Sequence, residues 1–192
     1  MALIAEFIDP DIFTVANVFS IAECASFIDR AESVGFNAAS VRTSSGPRMM
    51  THIRNNDRID LDDSDLAKTM WSRIAHLMPT LDGQHAVGVD RKLRFYRYMP
   101  GQEFKRHKDG AVTSESGCTS KLSFLIYLND NFEGGTTTFR HYVGTGSSRQ
   151  KFEHVISPAA GSALLFRHER WHAGVPVTAG RKYVLRSDVF YS

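Results

Sequence analysis

Cysteine is scarce in this chain: Cys24 and Cys118 are the only two in 192 residues. A disulfide scaffold is therefore excluded, and the pattern suits a reducing compartment. No run of eighteen apolar residues occurs, so no membrane-spanning helix is expected. The N-terminus, Met1-Ala-Leu-Ile-Ala-Glu6-Phe-Ile-Asp9, lacks a basic start and carries acids where the apolar core of a secretory signal would lie. Internal repeats, low-complexity tails and a dividing linker are missing too. These absences leave one soluble, cytoplasmic domain as the expectation. At 42% hydrophobic residues the chain is long enough to bury a proper core.

Eight histidines are the first positive feature, and an uneven charge is the second. The net charge of +2 is an average. Residues 1–66 hold five arginines, no lysine and eleven acids, a net −6. Residues 67–192 hold 18 basic residues against ten acids, a net +8. The densest basic stretch is Arg91, Lys92, Arg94, Arg97, Lys105, Arg106 and Lys108. Such a patch can attract an anionic ligand, although charge clusters of this size ordinarily just solvate a strand face.

The N-terminal third reads as helical. Ser20-Ile-Ala-Glu23 is a capping box, followed by apolar residues at Ala22, Ala25, Phe27, Ile28 and Ala31 and a stop at Gly35. A second helix is expected from Ser64, with Leu66, Met70, Ile74 and Leu77 on one face and Pro79 at its end. Residues 38–60 between them are polar, look like strand and loop, and are placed to cover a pocket. From residue 91 the pattern changes to short β-rich runs. These are Arg91–Tyr98, Leu122–Leu128, Thr136–Phe139, Phe152–Ile156, Ser162–Phe166 and Lys182–Tyr191, separated by Gly- and Pro-containing turns. Many short strands after two helices point to a sandwich or barrel with helices packed outside. One domain is expected over residues 1–192: residues 1–80 a helical flank with first strands, and 91–192 the catalytic core.

His107-Lys108-Asp109 sets two metal-ligand types two residues apart, a spacing that shares one face on a strand. His172 follows 65 residues later between two strand-like runs. Two histidines and a carboxylate form the facial triad of non-haem iron oxygenases. His168-Glu169-Arg170-Trp171-His172 also matches the zinc-protease pattern H-E-x-x-H. That chemistry requires a helix. Here a short apolar strand pattern, Gly161–Phe166, precedes the match, and Gly174 and Pro176 follow it.

Read together, residues 94–191 resemble the prolyl-4-hydroxylase branch of the Fe(II)/2-oxoglutarate-dependent dioxygenases. The resemblance is carried by Arg97-Tyr98-Met-Pro-Gly101-Gln102 leading to His107-Lys-Asp109, then by Leu125-Ile-Tyr127-Leu-Asn129 and Phe132-Glu133-Gly-Gly135-Thr-Thr137-Thr-Phe139. It continues through Gly161–Phe166 and His172-Ala-Gly174 to Gly180-Arg-Lys182 and Arg186-Ser-Asp188. It implies a mainly β fold with flanking helices, a double-stranded β-helix of the jelly-roll or cupin-like kind. It implies Fe(II) held by His107, Asp109 and His172, with 2-oxoglutarate and O2 as cosubstrates and ascorbate as an accessory reductant. The far carboxylate of 2-oxoglutarate would meet Lys182, with Arg186 and Arg181 in reserve. Tyr98, Tyr127 and Thr137 would line the cosubstrate. A buried dicarboxylate needs such a fixed cation and hydroxyl donors.

The implied reaction is hydroxylation of an unactivated C–H bond with release of succinate and carbon dioxide, first of all on a prolyl residue of a peptide or protein. A free amino acid or other metabolite is the alternative substrate. A nucleic-acid demethylase is less favoured, because the pair of widely spaced C-terminal arginines expected of one is not clear, and no nucleic-acid partner is expected. Arg94, Arg54, Asn55 and Asn56 are the candidate substrate contacts. Arg94 shares strand parity with Tyr98, and the 54–56 segment offers a dense set of donors. Residues 38–60, 110–120 and 140–152 are the candidate substrate surface.

Overall fold

The structure, a computed structural model, describes residues 2–39, 41–43, 46–48 and 54–192. The expected cover segment 38–60 therefore lies partly outside the described residues. The strands that position the site are β1 (Ala5–Asp9), β2 (Ile12–Val15), β3 (Asp57–Asp62), β4 (Ala86–Val89), β5 (Lys92–Tyr98) and β6 (Phe104–His107). They continue with β7 (Thr119–Tyr127), β8 (Thr137–Val143), β9 (Gln150–Ile156), β10 (Ala163–Arg167), β11 (His172–Gly174) and β12 (Lys182–Tyr191). The main antiparallel sheet runs β1-β2-β10-β7-β12-β5-β3, with β4 pairing alongside β12. A second antiparallel sheet runs β9-β8-β11-β6.

The main sheet is buried on both faces, and strand alternation sorts its residues between two cores. Leu93, Phe95, Leu122, Phe124, Ile126, Leu165, Leu185 and Val189 point outward. They pack on Cys24 and Ala31 of helix α1 (Ile21–Val34) and on Leu66, Met70 and Ile74 of helix α2 (Ser64–Ile74). Tyr96, Tyr98, Tyr127, Phe166 and Val184 point inward and meet Phe139 and Ile156 of the second sheet. The inner core is thus the space between two facing sheets, as a double-stranded β-helix requires. The site opens inside it.

Both helices begin as their sequences predict. The Glu23 amide donates to Ser20 Oγ (3.2 Å) and the Ser20 amide donates to Glu23 Oε2 (2.8 Å), closing the capping box. At α2 the cap is Asp63, whose carboxylate accepts from the Leu66 amide at 2.8 Å. The N-terminal third is not simply helical. β1 and β2 form a hairpin before α1, and β2 pairs with β10, some 150 residues away. That partner is invisible to local periodicity.

Candidate active site

A cross-strand pair builds the heart of the site. His107 at the end of β6 stands opposite His172 at the start of β11, and His172 also stands opposite Phe139 of β8. The two imidazole centroids are 4.2 Å apart. Strand β6 stops at His107, so strand parity does not place Asp109. A backbone bond does: the Asp109 amide donates to the His168 carbonyl at 3.0 Å. Asp109 Oδ1 then lies 3.6 Å from His107 Nε2, and Oδ2 lies 3.6 Å from His172 Nε2. One ligand atom from each residue falls within 4.8 Å of the others.

The protonation states suit a metal. His107 Nδ1 donates to the Lys105 carbonyl (2.7 Å) and His172 Nδ1 donates to the Arg170 carbonyl (2.9 Å). A carbonyl only accepts, so each Nδ1 carries a ring proton and each Nε2 is turned toward the centre. Burial pushes the His172 pKa down to about 4 and keeps that ring neutral. Burial alone would raise the pKa of Asp109, but the Arg186 guanidinium together with His172 and His107 outweighs it and holds the carboxyl well below the usual range. Two imidazole nitrogens and one ionised carboxylate are the donor set that Fe(II) accepts with coordination positions left over.

Two buried networks hold Asp109. Arg186 Nη1 donates to Asp109 Oδ1 at 2.8 Å, and its Nη2 donates to Asp188 Oδ1 at 3.2 Å. Arg94 Nη1 donates to the other oxygen of Asp188 at 2.9 Å. On the other side Ser123 Oγ donates to Asp109 Oδ2 at 2.5 Å. Ser123 has one proton and has spent it there, so it accepts from His168 Nδ1 at 2.9 Å. Burial depresses the His168 pKa, so the ring is neutral and its Nε2 accepts from Ser120 Oγ at 2.8 Å. His168 is therefore spent on orienting Asp109. It lies in a turn rather than a helix, which removes the zinc-protease reading.

Lys182 enters the same cleft from β12. It is buried, and its Nζ donates to the Gly135 carbonyl at 2.6 Å. Gly135 is needed in that position: its φ is +64°, and a Cβ would lie 2.9 Å from the Phe132 ring. No carboxylate pairs with Lys182 among the described residues, and burial pushes its pKa down to about 7. The ammonium sits 5.4 and 5.3 Å from the ring centroids of Tyr98 and Tyr127. Tyr127 and Thr137 share a hydroxyl–hydroxyl hydrogen bond of 2.8 Å, and burial raises the Tyr98 pKa to about 12. The cleft thus offers a lone buried cation and neutral hydroxyl donors across from the ligand cluster.

Several expected contacts fall elsewhere. Arg186 is consumed by Asp109 and Asp188, and Arg181 is exposed just before β12 and does not line the cleft, so neither serves as a reserve cation there. Arg94 faces inward but is engaged by Asp188. Asn55 clips its own segment to the distant turn that leads into β6, accepting from the Glu103 amide at 2.8 Å. Asn56 is buried and accepts from Arg54 Nε at 2.6 Å. These two asparagines hold backbone and side chain in place and do not face the cleft. Tyr96, Ser123, His168 and Asp188 belong to the site and were not expected there. Tyr96 and Asp188 share strand parity with Tyr98 and Lys182, which signals that they face the cleft but not what they do there.

A second histidine pair with a carboxylate, Asp9, His141 and His154, also meets within 4.8 Å. There Arg170 Nη2 donates to Asp9 Oδ2 (2.8 Å) and lies 3.3 Å from His141 Nδ1. One guanidinium nitrogen thus touches two of the three candidate ligand atoms. Of these two clusters among the described residues, only His107–Asp109–His172 keeps its histidine nitrogens clear of a guanidinium.

Residues 93–187 match the family model described as the 2OG-Fe(II) oxygenase superfamily. The chain belongs to the 2OG-Fe(II) oxygenase superfamily. It is 32% identical over 110 residues to a putative prolyl 4-hydroxylase of Acanthamoeba polyphaga mimivirus, covering 48% of this chain and 41% of that one. It is 27% identical over 165 residues to the probable prolyl 4-hydroxylase 9 of Arabidopsis thaliana, covering 77% and 53%. The chain thus spans about half the length of these relatives. Among solved structures it resembles a Trichoplax adhaerens prolyl hydroxylase bound to a hypoxia-inducible-factor peptide fragment, with TM-score 0.69, 18% identity, and 94% and 83% of the two chains covered. At that identity the likeness establishes the double-stranded β-helix fold. The family's iron and 2-oxoglutarate fit the donor set and the lone cation found here.

Proposed function

We propose that the chain is a 2-oxoglutarate-dependent hydroxylase that oxidises an unactivated C–H bond of a prolyl residue in a peptide or protein. The observation that carries this reading is the meeting, in one cleft, of two histidine nitrogens and an ionised aspartate with a buried lysine that has no carboxylate partner among the described residues. Fe(II) would be held by His107, Asp109 and His172. Bound there with 2-oxoglutarate, it would supply the oxygen activation that couples hydroxylation to release of succinate and carbon dioxide.

The chain's own residues supply the rest. Lys182 offers the charge that the far carboxylate of 2-oxoglutarate needs in a dry site, and the Tyr98 hydroxyl and the Tyr127–Thr137 pair offer donors beside it. Arg186, Ser123 and His168 fix the carboxylate plane of Asp109, so the ligand cluster does not reorganise when loaded. Phe104 stacks on His107 at 3.5 Å, and Phe139 and Phe166 flank His172, excluding water from the ligand rings. The prolyl preference is supported by the relatives' names, and the peptide preference by the neighbour that holds a peptide. Two free cysteines support a cytoplasmic setting.

The reading is tested by succinate formation from Fe(II) and 2-oxoglutarate, with and without a panel of proline-containing peptides, free amino acids and methylated oligonucleotides. Peptide-stimulated succinate is expected, and the slow peptide-free turnover should be lost in His107→Ala. Undiminished turnover in that variant would sink the iron assignment.

A further inference from the structure

The charge around the cleft does not balance. Arg94 and Arg186 share the carboxylates of Asp188 and Asp109. That leaves Lys182 and Arg54 with no carboxylate among the described residues. Arg54 is 4% exposed, and its guanidinium is slotted between the rings of Tyr96 (4.3 Å) and Phe104 (4.5 Å). Phe104 stacks directly on His107, so this cation stands one aromatic ring away from the ligand cluster. Its Nε is bonded to Asn56, while its Nη2 is buried with no hydrogen-bond partner among the described residues. Residues 40–53, which lead into Arg54, contain no aspartate or glutamate, so no acid from that segment can pair with it. A buried guanidinium with an orphaned nitrogen is costly, and native proteins keep one where a ligand completes it.

Tyr96 shows the same surplus from the cleft side. Its ring lines the cleft with His107 and Asp109. Burial alone would make its hydroxyl a weaker acid. Arg54, Arg186 and Arg94 together outweigh burial and pull the pKa below the ordinary phenol range. A hydroxyl so polarised is a strong donor to an anion.

2-Oxoglutarate cannot satisfy all of this. By the hydroxylase reading, on which this inference rests, one of its carboxylates goes to the metal and the other to Lys182. Neither is left for Arg54. We propose that the Tyr96–Arg54 wall is the docking point for a carboxylate of the primary substrate, carried beside the ring that is hydroxylated. The Tyr96 hydroxyl donates to that carboxylate, and Arg54 behind it supplies the counter-charge. A carboxylate fits better than a phosphate: one guanidinium with one nitrogen to spare balances a single negative charge, and a dianion would be left half-paired. The substrate is then a prolyl unit with an acid at its own C-terminus or on the next side chain.

The test uses two matched pairs of probes, N-acetylproline against N-acetylprolinamide and N-acetyl-prolyl-aspartate against N-acetyl-prolyl-asparagine. Probe-stimulated succinate is measured, and binding to the Mn(II)- and 2-oxoglutarate-loaded protein is measured by calorimetry. In the wild type the acid of at least one pair should be preferred by about tenfold or more in both readouts, the lower end for losing a charged partner in a buried site. The preference should fall to within about twofold in Arg54→Gln and in Tyr96→Phe, and survive in Arg54→Lys. If Arg54→Gln does not fold, Tyr96→Phe carries the comparison. Equal binding of acid and amide in the wild type, binding of neither, or a preference that persists in both neutral variants would overturn the proposal. Absence of succinate under all conditions would overturn the hydroxylase reading instead, and the calorimetric arm would still decide the carboxylate preference.

Discussion

Asp109 with His107 and His172, and Asp9 with His141 and His154, are the same three residue types within the same mutual reach. Both carboxylates also carry an arginine. The difference is what that arginine touches. Arg186 bonds Asp109 and Asp188 and neither histidine, so it fixes the carboxylate and leaves both Nε2 atoms clear. Arg170 reaches from Asp9 to His141 with one nitrogen and ties Asp11 as well, filling the place a cation would take. Ligand chemistry alone does not make a metal centre. The neighbouring charge must support the ligands without occupying their focus.

This comparison can be broken most forcefully at the two arginines. Arg186→Met leaves Asp109 and Asp188 buried with less compensation and should cost about 3–5 kcal/mol of stability, read from denaturant midpoints. An effect below about 1 kcal/mol would show that the buried charge chain is not what holds this end of the cleft. Arg170→Met should instead open the Asp9 cluster to a second, weaker equivalent of Zn(II), seen as a change from one to two bound ions per chain by equilibrium dialysis. If the variant still binds one, occupation by Arg170 is not the reason that cluster is closed.

Lys182 sharpens the same rule, because it is a buried charge with no ionic partner. Its folded pKa, about 7, is depressed below the ordinary lysine value of 10.5. The unfolded chain therefore holds more protons between those two values, and the contribution of Lys182 to stability rises as pH increases from about 7 toward 10. A bound carboxylate reverses this by restoring the charge. Binding of 2-oxoglutarate at pH 8 should thus take up close to one proton, measured as a dependence of calorimetric enthalpy on buffer ionisation. The uptake should shrink at pH 6 and vanish in Lys182→Arg. Uptake unchanged by that substitution would move the cosubstrate anchor elsewhere.

The smallest effect belongs to Ser123. Ser123→Ala removes one of the two hydrogen bonds on Asp109 and breaks its link to His168. Metal affinity should drop about tenfold with the fold intact, the lower end for a residue that orients a ligand. No change in affinity would make the His168–Ser123 chain a packing feature only.

The sequence made the ligands legible and left their supports dark. His107, Asp109 and His172 stand out because metal chemistry restricts residue type and spacing. Lys182 follows from the family resemblance, which puts the anchoring cation ten residues beyond His172, while strand alternation says only that Lys182 and Arg181 do not both face inward. The long β12 run and both helix starts were readable from local pattern and capping. Ser123, His168 and Asp188 were not, because a serine, a histidine and an aspartate on strands or turns acquire their roles only from partners tens of residues away. The β1–β2 hairpin escaped for the same reason. Arg54 was singled out as a donor, yet its meaning depends on Tyr96 and Phe104 closing around it.

The central claim, that His107, Asp109 and His172 alone form the iron centre, is most directly tested by anaerobic Fe(II) dialysis against the wild type, Asp109→Ala and Asp9→Ala. The account predicts one, none and one bound iron per chain. Two irons in the wild type, or loss of iron in Asp9→Ala with retention in Asp109→Ala, would contradict it.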